Sequence, residues 1–418
     1  MGWCTCEENK LKIKKKINGH ILFSPNVFLI FCAFFFSICI IENPLGWSNA
    51  FGWDGTINYD LVFIYLLSLY LGIKLGGINF FPSKVSLDEK NNINYKYLAL
   101  LFFIAIIFQS AKFINIGDIP LLGDPLSRYN LTLGGFEDYP TRLIAPFCMI
   151  FSLFYIDNKR LKYIIFIFLG VILNLFFLQR QEVMNLILGV ALVLTFRKKI
   201  NFNTIIKVIL VAFIVAYIFI GVAAVVRVGP DALMTNANVF ILPLWVIHAD
   251  TTTAFLFGQS VVEKMNGEYL YGKYSFGIFI SIFIPGYTEH GAELVRVMFT
   301  EAKTAQSISV PYSYYVDFGY TSLFFLSFLQ GFVLSYFYRK AINSMSYSDL
   351  VLYAVIYLNA LWSLRSGSVI LSPIVIYIIF SFYCLSNTSE KKITFRNLAR
   401  GGFVFILAIS TIALAFRI

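Results

Sequence analysis

The sequence predicts an all-α polytopic integral membrane protein of about eleven transmembrane helices. Its N-terminus is expected in the cytoplasm, and one large late loop on the outer side, residues 227–316, lies within a single transmembrane domain spanning residues 1–418. Three observations carry this expectation. The chain is 58% hydrophobic and 13% charged, with a mean hydropathy of +0.75, whereas soluble domains are roughly 45–50% apolar. Its apolar residues gather into runs of about 18 or more, the length needed to cross a bilayer. The connections between those runs alternate in charge.

In chain order the runs cover roughly 21–41, 60–80, 97–114, 141–157, 161–178, 182–196, 204–226, 317–338, 349–364, 368–386 and 402–416. The first follows a basic stretch, LKIKKKINGH, as the core of a signal peptide would. It reads instead as a retained helix, because Ile41, Glu42, Asn43 and Pro44 follow it where small cleavage-site residues would stand. The third ends in NIGDIPLLGDPLSRYN, whose Pro and Gly stop a helix and fold the chain tightly. The sixth, ninth and eleventh are the shortest. Between the seventh and eighth, Val239–Ile247 and Tyr274–Pro285 are apolar for only about 9–12 residues, which suits interfacial or re-entrant segments. Asn174, Gln330 and Asn359 are the notable polar side chains within spans, placed to hydrogen-bond between helices.

Charge orients this arrangement, because loops rich in Lys and Arg stay in the cytoplasm. With Lys10–Lys16 inside, the inner connections carry most of the basic residues, and acidic residues outnumber basic ones outside. The net charge of +10 therefore reports orientation rather than nucleic-acid binding. The inner connections, 158–162, 197–203, 339–349 and 387–401, leave no domain to bind a nucleotide, and neither GxxxxGK[ST] nor GxGxxG occurs. Cys4 and Cys6 fall on the inner tail, and Cys32, Cys39, Cys148 and Cys384 within helices, so neither a disulfide framework nor a metal site is expected. No cofactor is expected either.

The two sides use different cations. Lys dominates inside, as the orientation rule requires; outside stand Arg128, Arg142, Arg180, Arg227, Arg296, Arg365 and Arg417. A guanidinium binds phosphate oxygens through two parallel hydrogen bonds, so arginines at the outer helix ends suit a pyrophosphate at the membrane surface, with lipid headgroups or salt bridges as the plainer alternatives. Arg180 in FFLQRQEVMN and Arg365 in LWSLRSGS occupy tight outer turns, Glu182 follows two residues after Arg180, and Arg227 stands where the large loop begins. Asp118, Asp124 and Arg128 lie in the outer loop after the third run. In PGYTEHGAELVR, His290, Glu293 and Arg296 follow one another at i,i+3 spacing, with Glu289 beside them. A base and a cation on one face suit glycosyl transfer from a pyrophosphate: the base deprotonates the acceptor hydroxyl and the guanidinium neutralises the leaving group. His290 and Glu289 are candidates for that base, with Glu182, Asp124 and Asp317, while Arg227 and Arg296 are candidates for the cation. Arg128, Arg180, Arg365, Asp124 and Glu182 are candidate substrate contacts. Tyr269, Tyr271, Tyr274, Tyr287, Tyr312, Tyr314 and Tyr315 suit either an interfacial belt or stacking on sugars.

With these features the chain resembles the Wzy-type oligosaccharide repeat-unit polymerases, or O-antigen polymerases. GDIPLLGDPLSRYN is similar to the Gly-x-Ile-Pro and downstream Arg of that family, and YSYYVDFGYTSLFFLSFLQG to its Tyr, Phe-Gly and spaced Gly signature, here Tyr314, Phe318, Gly319 and Gly331. The resemblance implies a membrane glycosyltransferase of the C type in the bacterial inner membrane, working at its periplasmic face. It implies transfer of the growing glycan from undecaprenyl pyrophosphate to a new lipid-linked repeat unit, with a chain-length regulator protein as a partner. An O-antigen ligase shares the donor but uses lipid A-core as acceptor. A flippase for lipid-linked oligosaccharide is a third reading, which the absence of ionisable residues at helix centres weakens.

Overall fold

The computed structural model describes residues 19–40, 58–78, 93, 95–124, 127, 139–198, 207, 210, 214, 242–277, 291, 294–295, 307–367, 375–378 and 381. Among them the elements are helical. A 3-10 turn at Gly19–Phe23 leads into α1 (Pro25–Ile40), where Pro25 takes the first position and Ser24 caps the end by accepting from the amide of Val27 at 3.4 Å. There follow α2 (Tyr59–Gly76), α3 (Tyr95–Ile116), a 3-10 turn at Pro140–Leu143 that runs into α4 (Ile144–Asn158), α5 (Lys162–Phe176), α6 (Arg180–Lys198), α7 (Leu242–Met265), α8 (Val310–Phe318), α9 (Tyr320–Ser344) and α10 (Tyr347–Ser366). Five described helical stretches are long and apolar enough to cross a membrane: Tyr59–Gly76, Leu98–Ile116, Pro140–Asn158, Tyr320–Ser344 and Tyr347–Ser366. α1 and α5 are apolar but shorter. The expected runs 204–226, 368–386 and 402–416 lie almost wholly outside the described residues.

Two boundaries differ from the sequence reading. The apolar stretch expected at 239–247 is, from Leu242 on, the start of α7, a helix of 24 residues that continues through Asp250 and three threonines to Met265. The eighth run was expected to begin at residue 317, but the chain turns at Gly319, whose φ of +66° ends α8 before α9 starts. Apolar periodicity passes over such a turn unmarked.

α4 and α10 form the centre of the bundle, with 78% of each span buried, against 39–44% for the other three spans. α2 and α9 share the most extensive helix interface, and glycines make it. A Cβ on Gly72 would stand 2.0 Å from the Phe328 carbonyl oxygen, one on Gly76 2.4 Å from that of Phe332, and one on Gly331 2.2 Å from that of Leu69. The backbones therefore touch, which is how membrane helices gain dispersion energy without a hydrophobic drive between them. Gln330 ties the layers together: its Oε1 accepts from Tyr65 of α2 at 3.2 Å and Tyr314 of α8 at 3.4 Å, while its Nε2 donates to Ser363 of α10 at 3.1 Å. Asn174, by contrast, donates to Gly170 of its own helix.

Helix ends expected on one side of a membrane lie together. At one end, Arg197 of α6 donates twice to Asp157 of α4, at 2.8 and 3.4 Å, and the Tyr347 hydroxyl of α10 donates to the same carboxylate. His20 pairs with Tyr338 of α9 at 3.1 Å, and Lys340 with Asp349 at 3.1 Å. The opposite end gathers the last turns of α3, α5 and α10 with the first turns of α4, α6 and α9.

Candidate functional site

At that opposite end the polar residues converge. Arg142, in the 3-10 turn before α4, donates through Nη1 to the Glu182 carboxylate in the first turn of α6. Both are partly exposed, with 28% and 14% of their side-chain surfaces open, so the pair is fixed yet reachable. Beneath it, Lys112 of α3 is buried, donates to the Thr141 hydroxyl at 3.1 Å and stands 5.5 Å from the Phe177 ring centre. One turn earlier, Gln109 donates to Gln179 at 3.4 Å, joining α3 to the α5–α6 turn. Glu182 and Asn185 lie one helical turn apart on α6, and Asn185 accepts from the Trp362 indole of α10 at 2.5 Å. Half-buried Arg365 stands in the last turn of α10, three residues beyond Trp362.

The first turns of α4 and α6 thus face one end together with Lys112, Arg142 and Arg365. A helix N-terminus carries a partial positive charge, so the arrangement suits an anion with several oxygens, although the Ile144 amide that opens α4 is already bonded to Thr141.

The loop after α3 is built by Asp118, whose carboxylate accepts from the amides of Ile119 at 2.7 Å and Asp124 at 2.8 Å. The Asp124 amide, followed by that of Ile119, holds the Asp118 carboxyl below the usual carboxylate range. A Cβ on Gly123 would meet this carboxylate at 2.1 Å. The loop docks on α5 through the Leu121 amide, which donates to Phe176 at 3.1 Å. The Pro, Gly and Asp residues of 115–124 therefore fold a tight platform against the end of α5.

Of the sequence-predicted residues, Glu182 and Arg365 join this end. Arg180 is the first residue of α6. Asp124 is exposed on the loop, its amide engaged by Asp118 and its carbonyl by Ser127. Arg128, Arg227, Glu289, His290 and Arg296 lie outside the described residues. Asp317, a candidate base, is buried and accepts from the amides of Tyr274 at 3.0 Å and Ser275 at 2.9 Å. Burial pushes its carboxyl upward, against the pull of the Ser275 hydroxyl and these amides. It anchors the 271–277 segment to α8 and so holds a structural post. Lys112, Gln109 and Asn185 were missed, although FQSAKF does interrupt an apolar run at i,i+3 spacing. Among the described residues no group of three His, Cys, Asp or Glu is arranged to hold a metal ion, and Cys32, Cys39 and Cys148 are buried free thiols.

No curated protein and no solved structure matches the chain. A family match, however, runs over nearly all of it, from the 3-10 turn before α1 to beyond α10. The family is described as "Putative O-antigen polymerase" and matches residues 21–378; the chain belongs to this O-antigen polymerase family, with a role in O-antigen polymerisation and the apolar helices of a multi-pass membrane protein.

Proposed function

We propose that the protein polymerises lipid-linked oligosaccharide repeat units at the periplasmic face of the inner membrane. The growing glycan leaves undecaprenyl pyrophosphate and joins the non-reducing end of a new lipid-linked unit. The bond from the anomeric carbon to the phosphate oxygen breaks, a bond to the acceptor hydroxyl oxygen forms, the hydroxyl proton passes to a base, and undecaprenyl pyrophosphate departs. In this reading the Asp157 end is cytoplasmic and the Arg142 end receives the diphosphate, with Arg142, Lys112 and Arg365 neutralising its growing charge. Arg180, Arg128, Arg227 and Arg296 supply further cations, and His290 or Glu289 the base. A chain-length regulator protein is the proposed partner.

The observation that carries the reading, beside the family match, is the convergence of cations with two helix N-termini at the Arg142–Glu182 pair. Incubating the purified protein with lipid-linked repeat units and resolving the products on a ladder gel tests it. A ladder with release of undecaprenyl pyrophosphate is expected; single units remaining after exhaustive incubation refute it. In cells, loss of the gene should leave core capped by one repeat, whereas bare core indicates a ligase.

A further inference from the structure

The Arg142 end has a second half of opposite character. The two halves are joined by α8: Ser309, its N-cap, donates to the Leu364 carbonyl beside Arg365 at 2.6 Å, while its last turn abuts the start of α9. There the Tyr320 hydroxyl donates to Asp60 in the first turn of α2. The Tyr315 ring meets that of Tyr320 edge-on at 5.1 Å and that of Tyr269 at 6.0 Å. From α7, Gln259 is wholly buried, donates to Glu263 at 2.9 Å and accepts from the Asn58 amide at 3.1 Å. Asp60 and Glu263 are both exposed.

The floor of this cluster is Tyr312. Its ring lies on Gly258, where a Cβ would stand 2.5 Å away. The side chain is fully buried, and its hydroxyl has no hydrogen-bond partner among the described residues. Burial, followed by the carboxylate charges of Asp60 and Glu263, pushes that hydroxyl's pKa upward, so it remains a protonated donor. A buried hydroxyl left without a partner costs free energy, about 1–3 kcal/mol, unless a group beyond the described residues completes it.

Two accessible carboxylates accept from hydroxyl groups, a tyrosine hydroxyl donates, and tyrosine rings offer apolar faces to the C–H side of a pyranose. The negative charge of the same residues repels a diphosphate, so the two halves discriminate between a charged donor head and a neutral polyol. We propose that Asp60, Glu263, Tyr312 and Tyr315 form a saccharide-binding site that takes the hydroxyl-bearing end of the acceptor repeat unit. The acceptor assignment rests on the polymerase reading; the saccharide site itself does not.

The test is equilibrium binding of the free repeat-unit oligosaccharide, tritium-labelled and carrying no lipid, to the full-length protein in detergent. Undecaprenyl pyrophosphate binding and thermal unfolding are followed in parallel. Saturable saccharide binding is expected, weakened about tenfold in Asp60→Asn and in Glu263→Gln by loss of a charge-assisted hydrogen bond. A several-fold weakening is expected in Tyr312→Phe, which removes one oxygen and leaves the packing intact. Undecaprenyl pyrophosphate binding and the unfolding temperature should stay at wild-type values. Absent saccharide binding, or equal binding by all three variants, overturns the site. Binding that follows the expected pattern in a protein that makes no ladder keeps the site and overturns the polymerase reading.

Discussion

The Arg142 guanidinium is held by the Glu182 carboxylate across the gap between the turn before α4 and the first turn of α6. A partly exposed pair of this kind adds only about 0–1 kcal/mol to stability, so its value lies in aiming the guanidinium. Arg142→Ala is expected to lower the polymerisation rate by about a hundredfold through loss of charge neutralisation. Arg142→Lys should recover little, because the planar fork is gone. Glu182→Gln should cost less, about threefold to tenfold, since an amide oxygen still accepts one hydrogen bond. Initial rates on the ladder gel, with protein level measured by blot, check all three.

The α2–α9 seam predicts a steric failure. Gly331→Val puts side-chain carbons onto the Leu69 carbonyl, already 2.2 Å from a bare Cβ, and overpacking of this kind costs about 1–3 kcal/mol or more. Gly117→Ala is the contrast, with open space around its Cβ but a φ of +72°, and should cost about 1 kcal/mol. Thermal unfolding in detergent should rank Gly331→Val well below Gly117→Ala.

Gln330→Leu removes the amide to which Tyr65, Tyr314 and Ser363 all bond. Stranding buried hydroxyls costs about 1–3 kcal/mol for each left unsatisfied, so the variant should unfold at a distinctly lower temperature. Gln330→Glu keeps an acceptor for the two tyrosines and, while its carboxyl is protonated, a donor for Ser363; ionisation removes that donor and buries a charge, so the unfolding temperature of this variant should fall as pH rises through the carboxyl's pKa. A titration of unfolding temperature therefore reads the charge state directly.

Acid should loosen the loop after α3. The Asp118 carboxyl lies below its ordinary pKa because two amides bond its charged form. A depressed folded value means that the loop's order is fully supported above the unfolded pKa, about 3.9, and is lost as pH falls through the lower folded value. Amide exchange at Ile119 and Asp124 should accelerate there, and in Asp118→Ala at every pH. Unchanged exchange in that variant removes Asp118 as organiser of the platform.

Much of the architecture was legible because bilayer thickness sets run length: the stretches expected at 60–80, 97–114, 141–157 and 349–364 became α2, α3, α4 and α10 within a few residues. Gln330 was legible as a bond between helices, since an amide in an apolar run needs partners. Phe318, Gly319 and Gly331, singled out only by resemblance, acquired physical roles in the α8–α9 turn and the glycine seam, and Tyr314, read also as a belt or stacking residue, is instead buried in the Gln330 hub. Asp317 misled, because sequence shows a carboxylate but not the amides of Tyr274 and Ser275, some 40 residues upstream, that occupy it. Lys112 and the Arg142–Glu182 pair were not foreseen, since pairing across α3, α4 and α6 depends on how helices stack, which periodicity does not encode. The same holds for Asp60 and Glu263, which the sequence reading does not single out and which α7 and α9 bring together with Tyr312 and Tyr320.

Gly72 sits twelve residues along α2 from Asp60, about 18 Å at helical rise, and its partner carbonyl belongs to the helix that begins with Tyr320. At these glycines no side chain stands between the rods, so bare backbone sets their separation. The Asp60–Tyr320 bond at the rim joins the first turns of the same two rods and inherits that spacing.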